Sequence, residues 1–471
     1  MSELIKNIDV SSDIQQLIRA DLAWHYRIVP CETSEQAISF YIDEAAEAEV
    51  VGEELEALLG VSVKLIPAET IVVQRALGKY YRNSGDQKQK IAFDSSVDFV
   101  DRLIQEANNL GSSDIHIEIF DEKARVRMRI DGNLIQRYTI EKTEYPELVN
   151  KIKIRSNLDI SEKRLPQDGR IQYDDFDLRV SILPTLHGEK IVLRILGHDA
   201  SSISIDNLGF SGAEKQNYLE GTKKPNGIIL ISGPTGSGKT TTLYATLKLL
   251  NDDKRNIVTV EDPIEYTLDG INQVQLKESI GLTFASALRS FLRQDPDVIM
   301  LGEIRDSETA QMAIRAALTG HLVLSTIHTN SAWGTISRLI DMGVPSFLLA
   351  NTISTSVAQR LVRKLCPHCK TEVPLDPKDW PLGSDTKDMP ATHMIASGCD
   401  QCHFSGYKGR LALYEIIPVD RELSVCIKNN ESEIDDLLKH KGISNLAARA
   451  REELTKGTTS LEEVYALLTG Y

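Results

Sequence analysis

The sequence predicts a multidomain α/β protein whose central part is a parallel β-sheet. Between residues 225 and 365, short continuous apolar runs alternate with helical stretches, which is typical of strands covered by helices on both faces. Before that region, apolar and polar residues alternate within 92–220, which indicates an antiparallel, half-exposed sheet. After it, two closely spaced cysteine pairs precede a helical tail, so a metal-binding subdomain is expected there.

The composition is that of an ordinary soluble globular protein. The chain has 471 residues, enough for about three domains, and is 41% hydrophobic and 26% charged. It has no apolar stretch near the ~18 residues that a membrane-spanning helix needs, and residues 1–6 lack the apolar core of a signal peptide. We therefore expect a cytoplasmic protein. The formal net charge of −15 repels nucleic acid, and no nucleic-acid partner is expected.

Changes in pattern divide the chain into five regions, namely 1–82, 92–220, 225–365, 366–410 and 411–471. The first is a small N-terminal α/β domain with an acidic helical segment, and the polar segment 83–88 after it is predicted to be a linker. The second is an α+β domain in which one alternating run ends at Asp131-Gly132, a hairpin signal. The third is the parallel-sheet core, followed by the cysteine-containing subdomain and a helical C-terminal subdomain.

A phosphate-binding loop follows the first apolar run of the core. The pattern G-x-x-x-x-G-K-[ST] is complete, and it lies between an apolar run and a helical run, as the pattern requires. Its glycines let backbone N–H groups surround phosphates, its lysine reaches the β- and γ-phosphates, and its threonine hydroxyl binds Mg²⁺. The predicted nucleotide-binding residues are Gly233, Pro234, Thr235, Gly236, Ser237, Gly238, Lys239, Thr240 and Thr241.

Acidic residues follow two further apolar runs of the core. In an open parallel sheet the ligand lies at the carboxyl ends of the strands, so these acids are expected to face one γ-phosphate. Glu265 is predicted to orient or deprotonate the attacking water, and Glu303 to hold Mg²⁺ through water. For Glu261 and Asp262, capping a helix is an equally good interpretation.

A histidine, His328, follows the apolar run 321–326. A neutral imidazole can hydrogen-bond a phosphate oxygen or a catalytic carboxylate. Its place at a strand end beside the other candidates favours a functional role over a structural one.

Four cysteines form two C-x₂-C pairs, Cys366 with Cys369 and Cys399 with Cys402. In a cytosolic chain such pairs more often bind metal than form disulfides. Each pair directs two thiolates at one point, and the four together complete a tetrahedral Zn²⁺ shell. Such a closed shell has a structural role; redox-active pairs are the alternative interpretation.

Several motifs carry a family resemblance. Besides the phosphate loop they are TVEDPIE at 259–265, LRQDPD at 292–297, GEIRD at 302–306, TGHLV at 319–323, DISEKRLPQDGR at 159–170 and TSLEEV at 459–464. Together they resemble the secretion ATPases, and within these the GspE/PilB branch, which serves type II secretion and type IV pilus assembly. The resemblance runs from about residue 95 to the C-terminus.

The resemblance implies a homo-hexameric ATPase with a RecA-like core, a PAS-like second domain and an N-terminal adaptor. It makes Glu265 the catalytic acid and Glu303 an atypical Walker B acid, and it places His321 and His328 in a His box. Arg179 and Arg194 face away from the apolar side of their strands. In family members the matching arginines reach the nucleotide phosphates. The cysteine-containing insertion is a feature of the assembly members, whereas retraction members lack it.

The resemblance also implies partners and a location. Family members act on the cytoplasmic face of the bacterial inner membrane, where ATP hydrolysis moves a platform protein. The expected partners are GspL-like and GspF-like proteins or their pilus equivalents. Residues 1–90 match the family only loosely and contain no Arg-Leu-Gly motif of the cyclic-dinucleotide kind, so type II secretion and type IV pilus assembly both stay open.

Two other classes of function are compatible with a nucleotide-binding core. A nucleic-acid translocase is opposed by the acidic balance and by the lack of a basic stripe with interspersed aromatic residues. A non-hydrolysing nucleotide-binding scaffold is opposed by the intact set of Lys239, Glu265 and Glu303.

Overall fold

The computed structural model describes residues 8, 10, 14, 17–18, 20–33, 37–46, 48–81, 99–197, 203–381, 389–403 and 405–469. The predicted linker at 83–88 lies outside these residues, and so does part of the connector at 197–207 that joins the second domain to the core. No helix within the described ranges is both long enough and apolar enough to cross a lipid bilayer.

The N-terminal domain is a three-stranded mixed sheet with helices beside it. Its elements are α1 (Ala20–Tyr26), β1 (Ile28–Thr33), β2 (Ala37–Asp43), α2 (Ala48–Leu59), β3 (Ser62–Ala68) and α3 (Thr70–Tyr80). β2 lies in the middle, antiparallel to β1 and parallel to β3. Buried apolar side chains such as Phe40, Leu55 and Leu77 form its core, so this part is a small α/β unit as the sequence predicts.

The second domain is a six-stranded antiparallel sheet with the strand order β6-β5-β4-β9-β8-β7. Its elements are α4 (Phe99–Asn109), β4 (Asp114–Ile119), β5 (Lys123–Ile130), β6 (Asn133–Glu141), α5 (Tyr145–Arg155), β7 (Gln167–Gln172), β8 (Phe176–Thr185) and β9 (Gly188–Gly197). Asp131 and Gly132 form the predicted hairpin with φ of 47° and 88°, a backbone that Asp and Gly adopt readily. The apolar face packs on the two helices, and polar side chains cover the other face.

The core sheet has seven strands in the order β12-β11-β13-β14-β10-β15-β18. They are β10 (Gly227–Ser232), β11 (Ile257–Glu261), β12 (Asn272–Gln275), β13 (Val298–Leu301), β14 (Leu322–Ile327), β15 (Ile353–Leu365) and β18 (Tyr407–Pro418). All pairings are parallel except the last, β15 with β18. Every residue of β10, β11, β13 and β14 is buried, because helices cover both faces of the sheet.

Helices connect and cover these strands. They are α6 (Gly212–Thr222), α7 (Lys239–Leu250), α8 (Phe284–Phe291), α9 (Ser307–Leu318), α10 (Gly334–Asp341), α11 (Ser346–Thr352), α12 (Arg421–Lys428), α13 (Asp435–His440), α14 (Leu446–Thr455) and α15 (Leu461–Leu468). Asp306 caps α9, since its carboxylate accepts the backbone N–H of Thr309 at 2.8 Å.

Two predicted domain limits differ from the structure. β18 joins the core sheet beside β15, so the expected limit at 410/411 falls inside a core strand. The two-stranded unit of β16 (Thr371–Pro374) and β17 (Thr392–Ile395) is an insertion between these two strands of the core. The helix α6, expected in the second domain, packs on the core instead, where Tyr218 contacts the cluster that includes Leu243. Both assignments depended on the linear order of patterns, and the packing partner of each element is non-local.

Candidate active site

The phosphate loop connects β10 to α7. Gly233, Gly236 and Gly238 have φ of 148°, 81° and 88°, a region that favours glycine. A Cβ at Gly233 would lie 2.4 Å from the carbonyl oxygen of Gln359, and one at Gly238 would lie 2.8 Å from the Gln359 side-chain nitrogen. The close approach of β15 therefore requires glycine at both of these positions.

Lys239 lies over this loop. Its Nζ donates hydrogen bonds to the carbonyl oxygens of Gly233 at 2.8 Å and Pro234 at 3.0 Å. Burial lowers the pKa of the Lys239 ammonium, and the nearby Glu303 carboxylate partly opposes this. The ammonium is therefore placed where the loop backbone turns, at the start of α7.

A cavity of about 760 Å³ opens over the loop. Lys239, Thr240, Glu265, Glu303 and His328 all line it. Lys239 and Thr240 begin α7. The other three residues each follow a different parallel strand, and the carboxyl ends of those strands meet at one edge of the sheet. The topology thus brings together the residues that the sequence placed at strand ends.

Two cationic or polar side chains flank the carboxylate of Glu303. Arg305 Nη2 lies 2.5 Å from one carboxylate oxygen, and His328 Nε2 lies 3.5 Å from the other. Arg305 is also 3.5 Å from the Asp262 carboxylate, and hydrogen bonding to Glu303 raises the pKa of the guanidinium. These contacts hold Glu303 at the cavity wall. Sequence reasoning did not single out Arg305, although it belongs to the GEIRD string.

Glu261 does not cap a helix. Its carboxylate is buried and accepts hydrogen bonds from the hydroxyls of Thr259 and Tyr244 and from the amide of Gln273. The distances from Thr259 and Gln273 are 2.6 Å and 3.0 Å. Because its lone pairs are occupied by these donors, Glu261 acts as an internal anchor at the end of β11.

Glu265 is held through its backbone. Its N–H donates to the hydroxyl oxygen of Tyr244 at 3.2 Å. Within the described part of the chain, no hydrogen bond or ion pair engages the Glu265 carboxylate, which lines the cavity. A carboxylate placed in this way is available to a ligand. Burial, together with the neighbouring Glu261 carboxylate, raises the pKa of Tyr244, so this hydroxyl stays protonated.

The predicted arginines of the second domain lie outside the cavity lining. Arg179 reaches the core, where its Nη2 donates to the carbonyl oxygen of Ile264 at 2.9 Å. Arg194 pairs with Asp114 of its own domain, with Nε 2.9 Å from a carboxylate oxygen.

His321 also lies away from the cavity. It lies just before β14, whereas His328 follows the other end of this strand. The Nδ1 atom of His321 is 2.9 Å from the carbonyl oxygen of Ala316. The structure therefore does not bring the two histidines of the TGHLV and strand-end motifs together within one chain.

The four predicted cysteines converge at one point. Their sulfur atoms all lie within 4.8 Å of one another. The Cys366–Cys399, Cys369–Cys402 and Cys399–Cys402 sulfur distances are each 3.8 Å. Four sulfurs at ~2.3 Å from one Zn²⁺ are about 3.8 Å apart, so the donor set fits a tetrahedral zinc. The backbone N–H of Gly406 also donates to the Cys402 sulfur, at 3.2 Å.

Gln359 supports the phosphate loop from β15 and was missed by sequence reasoning. Its side-chain nitrogen donates to the carbonyl oxygen of Ser237 at 2.8 Å, and its side-chain oxygen accepts the hydroxyl of Thr242 at 2.9 Å. The residue is 2% exposed. A glutamine in a largely buried strand gives no functional signal in a single sequence, because its partners lie far earlier in the chain.

The chain was compared with known proteins. It matches the family model described as "Type II/IV secretion system protein" over residues 90–466. It is 46% identical to the type II secretion system protein E of Pseudomonas aeruginosa over 375 residues, which cover 78% of this chain and 74% of that protein. It is 38% identical to the type IV pilus assembly ATPase PilB of Myxococcus xanthus, over 98% of this chain and 87% of that protein.

Two solved structures share the fold. The pilus retraction motor PilT with bound ADP is 26% identical, with a TM-score of 0.54, and the match covers 78% of this chain and 95% of PilT. The Legionella pneumophila ATPase DotB is 22% identical, with a TM-score of 0.60, and the match covers 79% of this chain and 96% of DotB. The core is thus a RecA-like mixed sheet. The chain belongs to the family of type II/IV secretion system proteins, and it is an ATPase of the GspE/PilB type.

Proposed function

We propose that this chain is the ATP-hydrolysing motor of a type II secretion system or of a type IV pilus assembly machine. The observation that carries the proposal is that Lys239 and Thr240 of the phosphate loop line one cavity together with Glu265, Glu303 and His328. Relatives named for type II secretion and for type IV pilus assembly support both processes. The nucleic-acid translocase is not favoured.

Each cavity residue has a role in this proposal. Lys239 exchanges its carbonyl partners for oxygens of the β- and γ-phosphates of ATP. The Thr240 hydroxyl, and the Glu303 carboxylate through water, would hold Mg²⁺, which would neutralise charge on the phosphate oxygens. Glu265 orients the attacking water and accepts its proton, since its carboxylate has no other partner among the described residues. His328, beside Glu303, contacts the γ-phosphate oxygens or this carboxylate.

Arg179 and Arg194 complete the site in the proposal. Both lie on the polar face of the second-domain sheet, and Arg179 already contacts the core segment next to Glu265. A movement of the second domain toward the core would bring guanidinium groups to the phosphates, where they stabilise the charge of the transition state.

The four cysteines hold a structural Zn²⁺ in this proposal. The tetrahedral spacing of their sulfur atoms supports it, and a shell of four protein ligands has no open position for a substrate. Since the cluster lies in the insertion between β15 and β18, a zinc ion there would tie the end of β15 to the start of β18 and would supply no chemistry to hydrolysis.

The assembled motor is proposed to be a homo-hexamer on the cytoplasmic face of the bacterial inner membrane. Its partners are platform and adaptor proteins of the GspF-like and GspL-like kinds, or their pilus equivalents. In this proposal the N-terminal domain is the adaptor and the second domain is PAS-like; the antiparallel sheet with two helices supports the latter assignment. The names of the relatives support a role in type II secretion or in type IV pilus assembly.

Phosphate release from ATP tests the proposal. The purified chain should release phosphate with Mg²⁺ present, and Lys239→Ala should abolish release because the charge nearest to the transferred phosphoryl group is lost. Turnover of Lys239→Ala within a few-fold of the original chain would overturn the site. A large stimulation by single-stranded DNA would favour the translocase instead. Vesicles that carry a GspF-like platform protein should stimulate turnover if the motor assignment holds.

A further inference from the structure

One peptide bond beside the cavity is held from both sides. The carbonyl of Ile264 and the N–H of Glu265 belong to the same planar peptide unit. Arg179 of the second domain donates to that carbonyl at 2.9 Å, and the Tyr244 hydroxyl of helix α7 accepts that N–H at 3.2 Å. The unit that carries Glu265 is therefore fixed by one group from each domain.

The Tyr244 hydroxyl is itself fixed. The ring is fully buried, and the hydroxyl proton is donated to the carboxylate of Glu261. Because a phenol has one proton, its lone pairs are left to accept the N–H groups of Glu265 at 3.2 Å and Tyr266 at 3.5 Å. Glu261 is in turn held by Thr259 and Gln273. The orientation of Tyr244 is thus determined by the end of β11.

The helix that carries Tyr244 also carries the phosphate-binding residues. Lys239 and Thr240 begin α7, and Tyr244 lies about one turn later on the same rigid element. The position of Glu265 relative to the phosphate loop is therefore set by Tyr244, and its position relative to the second domain is set by Arg179. The Glu265 carboxylate has no hydrogen bond or ion pair among the described residues, so its backbone anchors decide where the carboxylate lies.

We propose that Tyr244 and Arg179 are positioning residues that clamp the Ile264–Glu265 peptide, so that Glu265 is aligned for catalysis only while the second domain contacts the core. The inference rests on the proposed role of Glu265 as the catalytic acid. Loss of either anchor lets the peptide rotate and displaces the carboxylate from the attacking water. A displacement of about 1 Å at a catalytic group can cost roughly 100-fold in rate.

The test uses the full-length assembled chain and a matched pair of tyrosine variants. Tyr244→Phe removes the hydroxyl that accepts Glu265, while Tyr218→Phe removes an equally buried hydroxyl that bonds Thr246 on the same helix, at 2.6 Å. Tyr244→Phe should lower kcat roughly 10- to 100-fold with the ATP Kd within about twofold. Tyr218→Phe should leave kcat near the original value, and both variants should lower the melting temperature by similar amounts.

Arg179→Met tests the other anchor without disturbing the buried core. The Arg179 side chain is only partly buried, and methionine keeps its apolar length. Both anchors act on one peptide, so Tyr244→Phe and Arg179→Met combined should cost less than the sum of their separate effects. In a Glu265→Gln background, Tyr244→Phe should not lower the residual turnover further, and Arg179→Met should lower it by a smaller factor than in the original chain, because only its proposed contact with the phosphates is then lost. If Arg179 acts only on the phosphates, Arg179→Met will lower turnover by the same factor in both backgrounds, and the clamp is refuted for that residue.

Two failures can be told apart. If Glu265→Gln abolishes turnover while Tyr244→Phe and Tyr218→Phe have equal kcat, the clamp is wrong and the proposed function stands. If Glu265→Gln retains normal turnover, Glu265 is not the catalytic acid, and both the site assignment and the clamp fail.

Discussion

Gln359 provides a sharp test of how the phosphate loop is kept in its binding conformation. The side chain bonds the carbonyl oxygen of Ser237 within the loop and the hydroxyl of Thr242 in the helix that follows. Leucine is similar in size and apolar, so Gln359→Leu removes both hydrogen bonds with little change in volume. We expect ATP to bind more weakly and the fold to lose some stability.

The magnitude follows from the groups left without partners. Ser237 and Thr242 are both buried, and each unsatisfied buried group costs about 1–3 kcal/mol. The Thr242 hydroxyl keeps a second acceptor, the carbonyl oxygen of Gly238 at 3.4 Å, so most of the loss comes from Ser237. We therefore expect unfolding to be easier by about 2–3 kcal/mol. If the free loop relaxes to satisfy Ser237, ATP must restore its shape, and about 2 kcal/mol corresponds to roughly a 30-fold increase in Kd.

Equilibrium titration with a fluorescent ATP analogue and denaturant unfolding measure the two effects separately. The matched control is Ser354→Ala, which removes a buried hydrogen bond between β15 and β10, from the Ser354 hydroxyl to the carbonyl oxygen of Ile228 at 3.0 Å. This bond lies at the ends of the two strands away from the phosphate loop. Ser354→Ala should lower stability and leave the Kd unchanged. An unchanged Kd for Gln359→Leu together with reduced stability would refute the reasoning.

Further predictions concern the catalytic acid, the metal and the assembly. Glu265→Gln should bind ATP nearly as well as the original chain and lose turnover by orders of magnitude, because an amide cannot accept the proton; single-turnover quenching should show trapped ATP, and normal hydrolysis would contradict this. Metal analysis of freshly purified, reduced protein should find about one zinc per chain, and Cys366→Ser should lower the melting temperature more than Cys426→Ser, which removes a buried thiol outside the cluster. Protein without metal, or equal effects of the two substitutions, would argue against a zinc site. Specific ATPase activity should rise as light scattering shows monomers giving way to hexamers, and activity per chain that is independent of mass would rule out coupling between subunits.

The sequence by itself was sufficient for the features whose chemistry is local. The phosphate loop is one contiguous string in which residue type and spacing determine backbone shape, and its glycines have the left-handed backbone that such a loop needs. The Asp131-Gly132 hairpin, the helix cap at Asp306 and the buried parallel strands follow from equally local rules. The two cysteine pairs also carry their own geometry, because each pair directs two sulfurs at one point.

The sequence also placed Glu265, Glu303 and His328 at one edge of a sheet, because the carboxyl ends of parallel strands meet there. Strand direction determines the edge of the sheet at which these side chains lie, but it does not determine which groups they contact. It did not distinguish Glu261, whose carboxylate accepts three hydrogen bonds, from Glu265, whose carboxylate has no hydrogen bond or ion pair among the described residues, although they are four residues apart. Their difference arises from the buried hydroxyls and amide that surround Glu261.

Only the tertiary structure decided which distant segments support the site. Gln359 reaches the phosphate loop because β15 lies beside β10, and β18 extends the sheet past the limit expected from the pattern. Arg179 contacts Ile264 through the docking of two domains, while His321 is separated from His328 by the length of β14. These relations depend on strand order and domain contact, which the energy of the whole packed chain determines, and no local pattern of residues encodes them.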